Sequence, residues 1–142
     1  MSENPTSPPA GGAAIGEVIG ATGGAILLTA ALIWLGWAHR TGRIDFLRRA
    51  ANRMGEVAGA PAWAVLPGNI ASISLLVAVF GMYWDISLHI GQGRDEGPLA
   101  NPAHYFILAG LFGIFTAGFV AMVLPKERPS AGTRPLRWPR PK

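Results

Sequence analysis

Asp85, His89 and His104 are the residues of this chain best suited to chemistry. The first two stand four apart, so on a helix they share one face with Cβ atoms about 6 Å apart. His104 follows across a short glycine-containing stretch. One carboxylate and two imidazoles form a donor set that zinc and copper accept. The chain has no cysteine, which excludes disulfides, thiolate ligands and a thiol nucleophile. A metal site must therefore use nitrogen and oxygen donors, with an open fourth position for water or substrate. Arg94, Asp95 and Glu96 add charge beside the trio. Asp95 or Glu96 is placed to be a fourth ligand or a partner orienting an imidazole. The competing reading is a solvated polar cluster in which Asp85 pairs only with Arg94 or His89. Against it, an ionisable pair at helical spacing directly after an apolar span is costly unless used.

The elements that position these residues are read from hydropathy. Half of the 142 residues are apolar and only 14% are charged, well under the quarter usual in soluble domains. Three apolar spans run over about 13–37, 62–84 and 104–124, the second continuing helically to about Ile90. Each has the length that crosses roughly 30 Å of hydrocarbon as a helix. From Ile70 to Tyr83 only Ser72 and Ser74 interrupt the apolar run, and from Tyr105 to Leu124 only Thr116. A water-soluble helix would show a polar face. The expected fold is all-α, an integral bundle of three transmembrane helices forming one domain over residues 13–125.

Charge fixes the expected orientation. Arg40, Arg43, Arg48, Arg49 and Arg53 lie between spans one and two, and Lys126, Arg128, Arg134, Arg137, Arg140 and Lys142 follow span three. Only Arg94 lies between spans two and three. The positive-inside rule puts the N-terminus outside and the C-terminus in the cytoplasm. The Asp/His segment then faces the extracytoplasmic side of a multi-pass plasma-membrane protein. The net charge of +4 gathers at membrane flanks, so it points to lipid rather than nucleic acid. Residues 1–12, rich in Pro, Ser and Gly, are expected to be disordered, and no basic n-region marks a signal peptide. Residues 126–142 are expected to form a basic, proline-rich cytoplasmic tail that cannot hold a regular helix. Over 43–57 the apolar residues Phe46, Leu47, Ala50, Met54 and Val57 alternate with arginines at helical spacing, predicting a short interfacial helix.

Asn101-Pro102 is a helix-start signal, asparagine capping the free amides and proline suiting the first helical position. His104 then falls in the first turn of span three. Glu17, about one turn inside span one, is expected near the same membrane face as a further ligand or proton acceptor, or else wet. Gly16, Gly20 and Gly24, with Gly23 adjacent, form a small-residue ridge that predicts close helix contact within the chain, in a homo-oligomer or with another membrane protein. Pro67-Gly68-Asn69 predicts a local irregularity in span two, or a kink lining a cavity. Trp34, Trp37, Trp63 and Trp84 read as interfacial anchors, with Tyr105 and Phe106 alongside. Phe112, Phe115 and Phe119 read as a packing or lipid-facing stripe. His39 lies at the opposite membrane face from the trio and is expected to snorkel outside the site. No phosphate loop, nucleophile elbow or dinucleotide fingerprint is present.

Asp-x3-His at the end of one membrane helix and a histidine at the start of the next resembles the copper site in the C subunit of particulate methane and ammonia monooxygenases. That resemblance covers about twenty residues and implies copper ligation by Asp85, His89 and His104, not monooxygenase activity. The phrase Trp-Asp-x3-His-x4-Arg-Asp followed by Pro-x-His, here Trp84, Asp85, His89, Arg94, Asp95, Pro102 and His104, is similar to that of uncharacterised, actinobacterial-type multispanning proteins. Those proteins are longer and carry a second such phrase, which implies a shortened member or an N-terminal portion. The leading expectation is a membrane protein with an extracytoplasmic metal site, copper first and zinc second. The alternatives are a non-catalytic accessory or scaffold subunit of a larger membrane complex, and a shortened copy of a longer protein. No residue pattern defines a reaction.

Overall fold

A computed structural model describes residues 14–92, 97, 99 and 101–124. The expectations for the N-terminal segment, for Arg94, Asp95 and Glu96, and for the tail after 125 fall outside the described residues. The rest is all-helical: α1 (Ile15–Arg40), α2 (Phe46–Ala58), α3 (Ala62–Gln92) and α4 (Pro102–Val123). Three of the four, α1, α3 and α4, are long and apolar enough to cross a membrane. They lie within a few residues of the three expected spans, and α2 is the expected short helix. The outward surfaces of the long helices are apolar, with Leu27, Ile33, Leu76, Leu111 and Met122 all exposed. A water-soluble protein rarely leaves so much contiguous apolar surface uncovered.

The long helices run up, down and up. Near one end Gly81 of α3 approaches Phe106 and Ile107 of α4, and further along Gly110 approaches Ser74 and Ala78. At the other end Leu66 shares an apolar cluster with Val120, Val123 and Leu124. So α3 and α4 are antiparallel. Their contact is close because small residues line both sides. A Cβ on Gly110 would come within 2.6 Å of the Ala78 backbone nitrogen and the Ser74 carbonyl, nearer than packed atoms approach. In lipid such seams associate by van der Waals contact rather than by expelling water.

Two glycines in the left-handed region shape the α2 connections. Gly42 (φ 76°) follows α1, and Gly59 (φ 62°) follows α2, a conformation most residues adopt only at a cost. Thr41 donates its hydroxyl to the carbonyls of Trp37 (2.9 Å) and Ala38 (3.2 Å), satisfying the end of α1. Between the turns, α2 buries Leu47, Ala51 and Gly55 under the ends of α3 and α4. On its outer side Arg49 pairs with Asp45 at 2.8 Å, and Arg43, just ahead of the helix, lies over the Trp37 ring at 4.2 Å.

Helix α1 is attached differently. It buries only Leu32, Gly36 and Ala38, where Gly36 meets Phe119 and Val123 of α4. Its glycine ridge is open toward the other helices: among the described residues, a Cβ on Gly16, Gly20, Gly23 or Gly24 would meet nothing within 4 Å. The within-chain helix contact expected there is made instead by Gly81, Gly110 and Gly113. Pro67 lies inside α3, and the Asn69 amide donates to the Val65 carbonyl at 2.9 Å, a stitch within the same helix that fits the local-irregularity reading.

Candidate metal centre

Helix α3 has 31 residues, about 46 Å at 1.5 Å per residue. That exceeds the roughly 30 Å hydrocarbon thickness by about three further turns, and the last of these carry Asp85 and His89. Helix α4 starts beside them. Asn101 caps it, accepting the Ala103 amide on its side-chain oxygen at 2.8 Å, with Pro102 at the first helical position. His104 therefore occupies the first turn and meets the end of α3.

The three expected ligands converge. Asp85 stands between the imidazoles, its Oδ1 3.0 Å from His104 Nε2 and its Oδ2 3.5 Å from His89 Nε2. One ligand atom from each residue lies within 4.8 Å of the others. Tetrahedral donors about 2.1 Å from an ion stand roughly 3.4 Å apart. The trio could therefore take an ion with side-chain adjustments of about an ångström. All three residues are half-buried, and His89 is the most open, with 36% of its side chain exposed against 18% for Asp85.

Two supports were not anticipated from the sequence. The Asn101 side-chain amide donates to Asp85 Oδ1 at 2.9 Å, so the residue that caps α4 also orients the carboxylate. Beneath the trio, the rings of Phe80, Trp84 and Phe106 pack at centroid distances of 5.3–5.8 Å. Trp84 is thus half-buried in a floor between α3 and α4, and Phe106 joins it. The signal for this floor was the aromatic pair four apart on α3 opposite a ring two residues after His104. For Asn101, capping explained the residue completely, and nothing in the sequence marked its second bond.

Glu17 belongs to neither support nor ligand set. It accepts the Leu99 backbone amide at 2.9 Å and lies against Gly97. It therefore ties α1 to the connection between α3 and α4 and stands outside the three-residue group. His39 lies at the far end of the molecule, outside the three-residue group, with its Nδ1 buried. No family model matches the chain, and no curated protein or solved structure matches it either.

Proposed function

We propose that this chain is a multi-pass membrane protein that binds one transition-metal ion through Asp85, His89 and His104 on the extracytoplasmic side. The observation that carries this reading is the mutual approach of the three donor atoms within 4.8 Å, held by Asn101 and the aromatic floor. Copper is the first choice and zinc the second. Both accept two imidazole nitrogens and a carboxylate, and the likeness to the monooxygenase copper site favours copper. The chain's own residues bind and orient the ion. The test is elemental analysis of detergent-purified protein. One metal per chain is expected, absent from His89→Ala and His104→Ala variants that keep native helicity. A metal-free wild type after loading with cupric and zinc ions overturns the reading.

A second reading is favoured by the open glycine face of α1. With nothing among the described residues within 4 Å of a Cβ placed on Gly16, Gly20, Gly23 or Gly24, that face suits close approach by another membrane helix, from a second copy or a different membrane protein. The chain then acts as an accessory subunit. Gly20→Val would abolish association measured by native mass spectrometry while leaving metal content intact. Unchanged association excludes this face as the interface.

A further inference from the structure

At the end of the molecule away from the Asp/His group, all four helical regions enclose a pocket of about 430 Å³, within the roughly 300–1,000 Å³ range of small-ligand sites. Its polar wall is His39 and Arg40 from the end of α1, and Arg48 and Asn52 from α2; Trp63 of α3 and Leu124 after α4 complete it. Arg48 and Asn52 are four apart and so share one face of α2. Among the described residues, no carboxylate lines the pocket.

One contact fixes part of this basic wall. Arg40 is held at the rim by donating Nη2 to the Met122 carbonyl at 3.0 Å, which also offsets the negative end of the α4 dipole that would otherwise repel an anion. Guanidinium groups match the oxygens of phosphate in geometry as well as charge. Trp63 is 47% exposed and offers the indole common at headgroup depth.

We infer that this pocket binds a phosphate group, carried by an anionic phospholipid of the adjacent leaflet or free in solution. The inference is independent of the metal reading, because the two sites lie at opposite ends of α3 and α4. The test is native mass spectrometry and thermal unfolding of the full chain in neutral detergent, with dioleoyl phosphatidylglycerol, dioleoyl phosphatidylcholine or inorganic phosphate added separately. One phosphatidylglycerol is expected to bind in preference to phosphatidylcholine and raise the unfolding midpoint. Arg48→Gln and Asn52→Leu should each weaken it about fivefold or more, whereas Arg53→Gln, on the same helix but outside the pocket, should not. Stabilisation by inorganic phosphate alone, lost in the same two variants, supports the pocket with the free anion as ligand. The inference is overturned if neither probe binds, or if Arg53→Gln weakens binding as much as Arg48→Gln, which would mean diffuse charge attraction.

Discussion

Asn101 performs two tasks with one amide group. Its oxygen ends the run of unmet amides at the start of α4, and its nitrogen holds Asp85. Serine at this position keeps the cap and is too short to keep the second bond. Asn101→Ser is therefore expected to leave the thermal midpoint nearly unchanged while lowering metal affinity about 10–100-fold, the usual effect of losing a ligand's outer partner. Competition titration against a chelator of known affinity measures this. Asn101→Ala should add a capping loss of about 1 kcal/mol. Removing a donor itself, as in His89→Ala, should exceed either effect. The donor residues were legible because carboxylate and imidazole are rare in so apolar a chain and because a four-residue spacing fixes a helix face. The bond from Asn101 was not, since a side chain that already satisfies one local role gives no sign of a second, long-range one.

The seam between α3 and α4 sets whether the donors meet at all. Gly110 lies about two turns from His104 on the same helix, and the space for its Cβ is already filled by Ser74 and Ala78. Gly110→Val should cost about 1–3 kcal/mol through overpacking, lower the unfolding midpoint and weaken metal binding by splaying the helix ends. Gly20→Val, where the space is open, should alter neither in the isolated chain beyond the few tenths of a kcal/mol by which valine outranks glycine as a helix former. Thermal unfolding with metal titration on both variants separates the two cases. Helix positions were readable to within a few residues because twenty-odd consecutive apolar residues admit one structure in lipid. Which glycines face a neighbour was not readable. Gly16, Gly20 and Gly24 carry the more conspicuous spacing, yet the contacts are made by Gly81, Gly110 and Gly113. Ridge spacing shows that a helix can be approached closely, not that anything approaches it. Ser74 with Ala78 and Gly113 with Ala117 carried the same small-residue spacing on the helices that do pack.

For the molecule as a whole, the basic residues around α2 and the Asp/His group lie at opposite ends, and the positive-inside rule then assigns each a side. Because the chain lacks cysteine, single-cysteine variants report this without a background. Gly91→Cys should react with a membrane-impermeant maleimide in intact cells, and Val57→Cys, at a 90% exposed position, only after permeabilisation. The opposite pattern would put the Asp/His group in the cytosol and remove the extracytoplasmic assignment. Helix α1 touches its neighbours near its two extremities, through Glu17 at the outset and through Gly36 and Arg40 at the close. It is braced like a bow against a string, with slack along its middle. An incoming rod could lodge against that slack stretch without disturbing the paired staves that carry the carboxylate and imidazoles. Recruiting a companion and capturing an ion would then be separable events, each proceeding at its own strength whether or not the other has occurred.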